Sequence, residues 1–397
     1  MTDNIERKFI PSYILMFSVT AVAAPYLSIL IRDLGYSPSW IGILLGISEA
    51  AGISGPFLFG FWVDKTGNYR ASLVVSCIMP AFAIIPLVTW IHPVVSAVFL
   101  ALLAASSRSC ISMLDAITTI QIGKSGNYGR IRVWGSISFI VVSLMLQWTP
   151  FFKPVNAGNI SLWMIAISVL AVIPFLLLPS ALLKTSVIKR TNDTDSEDSN
   201  SQNKDPDEKN ISLFSTYALC GFGIIFLSRV AMSIAYTYFP LYVTEILNWN
   251  MLGILVALAA VAEVPMFFIS SRLIRRFGPI PLMVLSSIGI VVRLLIWAFL
   301  PYKSIIIFSQ LLHSLCYGIF HPTAVYFVSS VFSAKNRGTG MSIYMAVGMG
   351  LPSLIGNMLG GVIIDTAGYK TLFIIYAFIA AASALVGGFT RFSESGK

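Results

Sequence analysis

The chain has 397 residues, of which 56% are apolar and only 11% charged, with a mean hydropathy of +0.83. That balance excludes an ordinary soluble domain and describes a polytopic protein whose outer surface faces membrane lipid. The net charge of +9 would suggest nucleic acid as a partner in a soluble chain; here it is first sorted by loop, and no nucleic-acid partner is expected.

Crossing roughly 30 Å of hydrocarbon takes about 20 apolar residues. Stretches of that kind are predicted at 9–31, 41–62, 72–91, 95–117, 131–150 and 160–183, then at 213–242, 251–271, 280–300, 304–332, 339–364 and 370–390. The first runs past Ala21, Ala23 and Ala24 to Ile31, longer than a signal-peptide core of about 7 to 15 residues, so it is read as a retained helix. With the N-terminus inside, the inner side carries Arg7, Lys8, Lys65, Arg70, Lys124, Arg130, Arg272, Arg275, Arg276, Lys335, Arg337, Arg391, Lys397 and the basic residues of the central loop. The outer side carries Arg32, Lys153, Lys303 and Lys370. The positive-inside rule therefore expects both termini in the cytoplasm.

The central segment 184–212 (KTSVIKRTNDTDSEDSNSQNKDPDEKN and the residues after it) is polar and lacks aromatic residues over its length to Asn210. It cannot bury enough apolar surface to offset its ordering entropy, so it is expected to be a flexible cytoplasmic linker. It separates an N-terminal six-helix bundle, 1–183, from a C-terminal one, 213–397. A faint internal repeat sets GILLGISEAAGISGPFLFGFWVDKTG (42–67) beside GILVALAAVAEVPMFFISSRLIRRFG (253–278), as expected of two similar bundles. Cys77, Cys110, Cys220 and Cys316 all fall in predicted spans without paired or metal-type spacing and read as packing residues.

Several ionisable residues lie within the apolar stretches: Glu49, Arg108, Asp115, Arg132, Arg229, Glu263 and Arg293, with His313 and His321. A charge at the bilayer centre costs roughly 2.5 to 3.5 kcal/mol, so such groups face a polar cavity, pair with one another and mark a pathway. Helical spacing groups them further. Arg132, Ser136 and Phe139 share a face, as do Arg108, Ser112, Asp115 and Thr119; Arg229, Ser233, Tyr236 and Pro240 share another, and His313, Tyr317 and His321 a fourth. Two readings stay open for several of them. Arg108 or Arg132 either neutralises Asp115 or leaves it for a solute, Glu49 pairs with Arg108 or Arg229, and Tyr236 meets a ligand or bonds a neighbouring helix. Two histidines without a third ligand are no metal site, and no nucleotide-binding or catalytic motif is present. Neither a cofactor nor enzymatic activity is expected.

On the turn after the second stretch, GFWVDKTGNYR places Gly60, Asp64, Gly67 and Arg70 in the pattern G-x-x-x-D-x-x-G-x-x-R. Glycines allow a close-packed turn, and the carboxylate suits a helix N-terminus or a basic side chain. With the twelve spans, the central linker and the repeat, this turn resembles the conformational gate motif of the major facilitator superfamily, and the resemblance covers the whole chain. SMLDAITTIQIGKSGNYGRIRVWGSISFIVVS (112–143), VAEVPMFFISSRLIRRF (261–277), VVRLLIW and QLLHSL look like the branch of the lactose and 3-phenylpropionate permeases. The resemblance implies an all-α membrane protein of twelve helices in two pseudo-symmetric six-helix bundles, acting as a monomer in the cytoplasmic (inner) membrane.

It also implies solute contacts at Asp115, Arg132 and Phe139, and solute binding with proton coupling around Glu263, Arg293 and His313; apart from the resemblance, Tyr236 is expected as a further ligand contact from its helical face, and Glu49, which has no counterpart in that family, as an accessory to coupling. One departure is that Cys316 stands where the lactose permease has its proton-accepting carboxylate, and the acidic residues of that permease's seventh helix are absent. Coupling then rests on Glu263. The expected activity is proton-coupled symport of a small organic solute (an aromatic or other carboxylate, a sugar or a nucleoside) into the cytoplasm. An exporter or antiporter, an uncoupled facilitator and a non-transporting sensor of the same fold are the alternatives. The fifth helix lacks the glycine-proline pair associated with drug antiporters, which counts against efflux.

Overall fold

A computed structural model of the protein describes residues 2–123, 128–183, 215–332 and 336–394, and among these the chain is helical with no strand. The expected linker 184–212 lies outside the described residues. Helices α1 (Thr2–Asp33), α2 (Pro38–Thr66), α3 (Tyr69–Thr89), α4 (Pro93–Ile122), α5 (Tyr128–Trp148) and α6 (Ala157–Leu177) form the first half. The second half has α7 (Thr216–Ile246), α8 (Leu252–Phe277), α9 (Pro279–Phe299) and α10 (Lys303–Val331). Two more helices occupy the stretch Thr339–Gly388, whose 50 residues would reach about 75 Å, far beyond one crossing. Gly368, at φ 78° and ψ 175°, breaks it into α11 (337–367) and α12 (369–394). Counting α8 as one bent span near Pro265, the described residues hold the twelve crossings expected, in two six-helix bundles.

Local chemistry sets the boundaries. Ser37 caps α2 by accepting from the Trp40 N–H, with Pro38 in the first turn where its missing N–H costs nothing. Asn68, His92, Asn156 and Ser215 cap α3, α4, α6 and α7 in the same manner. Gly67 ends α2 at φ 63°, returning its N–H to the Val63 carbonyl at 2.7 Å, a left-handed conformation that favours glycine. Inside the halves, hydroxyl clusters replace the hydrophobic drive that lipid removes. Ser228 of α7 lies 2.9 Å from both Ser287 of α9 and Ser383 of α12. Three π-helical turns, Tyr242–Ile246, Ser314–Ile319 and Tyr344–Gly350, all belong to the second half among the described residues.

The two halves meet at the end of the bundle opposite the chain termini. There Arg32 Nε donates to Glu245 Oε1 at 2.7 Å, the Ser39 N–H to Asp365 Oδ2 at 2.9 Å, and Gln147 Nε2 to the Asn250 carbonyl at 2.6 Å. Tyr238 of α7 donates to the Asn357 carbonyl at 2.6 Å and reaches the Pro38 carbonyl at 3.3 Å. Beneath these bonds α2 and α11 pack almost backbone to backbone. A Cβ on Gly42 would fall on the Asn357 carbonyl, and one on Gly46 would lie 2.8 Å from Leu354 Cδ1. Glycine is needed there for close approach rather than for φ. The bonds between the halves given above all lie at the end opposite the termini.

Gly42→Leu is expected to prise α2 from α11 and open the bonded end while each half stays folded. Spin labels at Ile91 and Leu300, both exposed at that end, should then report a longer distance by several ångström in electron–electron resonance measurements.

Candidate functional site

The centre of the second half holds a charged relay. Arg293 of α9 is 4% exposed and His313 of α10 is 6% exposed. Arg293 Nη1 lies 2.8 Å from His313 Nδ1, and Nη2 donates to Gln310 Oε1 at 2.7 Å. A guanidinium has donors only, so Nδ1 must accept. The ring proton therefore resides on Nε2, which lies 2.6 Å from Glu263 Oε1 of α8. His313 is thus held as the neutral Nε2–H tautomer, bridging a cation and an anion that would otherwise be buried apart. Arg293 also lies 4.8 Å over the Trp297 ring. The His313 ring is buried as the bridge, both of its nitrogens engaged by charged neighbours.

Along α10 the rings of His313, Tyr317 and His321 stack, with centroids 5.8 and 5.7 Å apart and planes within 7° and 3° of parallel. The spacing read from sequence does form one stripe. Tyr236 of α7 meets it edge-on, 6.0 Å from His313 and 6.2 Å from Tyr317, with its hydroxyl 3.5 Å from His313 Nε2. In mid-helix among these groups, Tyr236 keeps part of its surface exposed. His321 is a packing residue, its Nδ1 lying 3.0 Å from the Tyr344 hydroxyl of α11.

The first half presents its own charges. Arg108 Nη2 donates to Glu49 Oε2 at 2.5 Å, with side chains 38% and 35% exposed. Of the two partners open to Glu49, the structure selects Arg108. Gly52 makes room for it, since a Cβ there would lie 2.7 Å from Arg108 Cδ. Asp115 Oδ1 accepts from the Tyr13 hydroxyl of α1 at 2.7 Å, and Arg132 lies 4.0 Å over the Phe17 ring. Asp115 and Arg132 form no ion pair among the described residues, so neutralisation of one by the other is not what holds them. Phe139, half-buried on α5, forms no ring contact among the described residues. Tyr317 has Arg229 and Glu263 of its own half and Arg108 and Glu49 of the other among its charged neighbours.

At the termini end, Arg70 donates to the Leu178 carbonyl beyond α6. Asp64 is exposed and Gly60 faces open space. The motif's carboxylate therefore engages no partner across the halves among the described residues. Sequence reading missed Tyr13, Phe17 and Gln310. Gln310 carried a signal, a polar side chain one turn before His313; Tyr13 and Phe17 carried none, since aromatic residues are common in spans.

A family model described as the MFS_1 like family matches residues 8–375. The chain is 22% identical over 381 residues to a maltose permease of Geobacillus stearothermophilus, covering 94% of this chain and 91% of the relative. Its fold is similar to that of the nucleoside transporter NupG (TM-score 0.79, 15% identity, 97% and 98% of the two chains). It is also similar to that of a D-xylose-proton symporter (TM-score 0.67, 10% identity, 96% and 95%). The chain belongs to the MFS_1 like family and is a transporter of the major facilitator superfamily, not an enzyme.

The bridge makes a specific prediction. His313→Leu should lower stability by about 3 to 5 kcal/mol, the cost of leaving a buried ion unpaired. His313→Gln, whose amide both accepts from Arg293 and donates to Glu263, should recover most of that loss. Thermal unfolding of the purified variants in detergent measures both.

Proposed function

We propose that this member of the MFS_1 like family is a proton-coupled symporter, carrying a small organic solute into the cytoplasm across the inner membrane by alternating access. The observation that carries the reading is the Glu263–His313–Arg293 relay, set mid-way along α8, α9 and α10, in a protein whose halves are bonded to each other at one end. Ionised Glu263 holds the His313 ring and, through it, Arg293. Protonation of the carboxylate removes the negative end of that chain and leaves the charge of Arg293, still bonded to His313 and Gln310, unopposed. A solute oxygen reaching Arg293 then replaces what the carboxylate supplied, so proton and solute stabilise the same arrangement. Differential binding of this kind is what shifts a two-state carrier.

Asp115, Arg132, Phe139 and Tyr236 complete the proposed solute contacts, and Glu49 with Arg108 faces them across Tyr317. The excess of basic residues on the termini side places that side in the cytoplasm, so the state described here opens inward. Asp64 at that end waits to engage when the inner side closes. Residues 184–212 tether the bundles 1–183 and 213–397, and one chain supplies both, so a monomer suffices. A maltose permease, a nucleoside transporter and a D-xylose-proton symporter among the similar proteins support a small polar organic cargo.

Proteoliposomes with an inward proton gradient, offered sugars, nucleosides and aromatic carboxylates, test this. One class should accumulate and an uncoupler should abolish the accumulation. Arg132→Ala and Glu263→Gln should each reduce it about tenfold or more, the worth of one charge-assisted contact of ~1.5 to 3 kcal/mol. Normal uptake in both variants overturns the site assignment, uptake indifferent to pH and uncoupler makes the protein a facilitator, and efflux driven by proton entry makes it an antiporter.

A further inference from the structure

The cations of the chamber differ in how they are answered. Arg108 is paired with Glu49 at 2.5 Å, Arg293 bonds His313 and Gln310 through its two terminal nitrogens while its Nε is buried without a partner, and Arg132 is half-exposed above Phe17. Arg229 of α7 is 8% exposed, yet its side chain forms no hydrogen bond or ion pair among the described residues. Its Nε is buried without a partner, while neither terminal nitrogen is fully enclosed. The guanidinium lies 5.7 Å over the Tyr317 ring, and Tyr236, His321 and Tyr344 surround it electrostatically. These neighbours are neutral. A buried cation left in this way is costly unless something else supplies the negative charge.

We infer that Arg229 binds the anionic group of the transported solute, and that the solute is a carboxylate with a flat aromatic ring. The inference rests on the transport reading above and narrows it to one of its solute classes. The two terminal nitrogens of a guanidinium match the two oxygens of a carboxylate. The parallel faces of Tyr317 and His321, with the edge of Tyr236, offer a planar surface beside them. Charge balance gives the same result. With the histidines neutral, Glu49, Asp115 and Glu263 oppose Arg108, Arg132, Arg229 and Arg293, so one anion neutralises the chamber. Sequence reading placed Arg229 among the intramembrane charges without a role of its own, because four cations look alike there; the contacts set it apart as the one whose side chain forms no hydrogen bond or ion pair among the described residues and is 8% exposed.

The test uses matched probes that differ in charge alone, namely benzoate with benzamide and glucuronate with glucose, with inorganic phosphate as a third anion. Thermal stabilisation of the purified full-length protein is read first, then uptake of the same probes into proteoliposomes. The expected result is stabilisation by benzoate well above benzamide. Arg229→Gln should lower the apparent affinity for benzoate about tenfold or more, and Arg229→Lys should retain part of it. A preference for glucuronate over benzoate overturns the ring-shaped aromatic surface as the recognition element, and a preference for phosphate overturns the carboxylate. Equal or better stabilisation by the neutral probes, or none by any carboxylate, overturns the anion assignment whatever the variants do. Uptake separates the two levels. Transport of neutral probes only leaves the carrier standing without an anion site, and carboxylate binding through Arg229 without uptake leaves the site standing without the carrier.

Discussion

Hydrocarbon does not solvate charge, and every ionised side chain at lipid depth has to be answered by another part of the protein. In this chain the answers are confined within each half. Glu49 and Arg108 tie α2 to α4, Asp115 and Tyr13 tie α4 to α1, and the relay through His313 ties α8, α9 and α10. No buried ion pair joins one half to the other among the described residues. The Arg32–Glu245 pair that does cross lies at the rim, with side chains 40% and 30% exposed, where water screens it and its contribution is small. The buried charges therefore tie each bundle to itself and not to its neighbour, which leaves the close α2–α11 packing and the rim bonds to hold the two together, as suits two bodies that rock about a shared site.

Much of this was legible in the sequence because lipid imposes a simple grammar. Apolar length located all twelve helices within a few residues, since nothing shorter crosses and nothing polar survives outside a cavity. The charged interruptions marked Glu49, Arg108, Glu263 and Arg293, and the structure joins these in pairs or through a bridge. What periodicity withheld was rotation and partner choice. A stripe at i, i+4 and i+8 placed His313, Tyr317 and His321 on one face, yet gave no sign that the first would be enclosed between two charges and the last bonded to Tyr344. Asp115 and Arg132 were natural partners by type, and the structure instead gives the carboxylate a phenol and the guanidinium a benzene face. Those choices depend on how α1 inserts between α4 and α5, a tertiary fact with no local trace.

The relay also clarifies the substitution at Cys316. A carboxylate at that position would add a second anion beside Arg293. With a thiol there instead, Glu263 is the acidic member of the cluster, and the imidazole passes its influence to Arg293. The chemistry that two carboxylates might share is thereby concentrated on one.

The π-helical turns give the two bundles unequal mechanics. A widened turn carries an extra residue and a looser hydrogen-bond ring, so a helix holding one can rewind by a step without unravelling. Those turns lie in α7, α10 and α11, all of the second bundle, and the one in α10 lies between His313 and His321. The first bundle, which has no such turn among the described residues, then behaves as an anvil, and the second as the part able to yield when a guest settles against it.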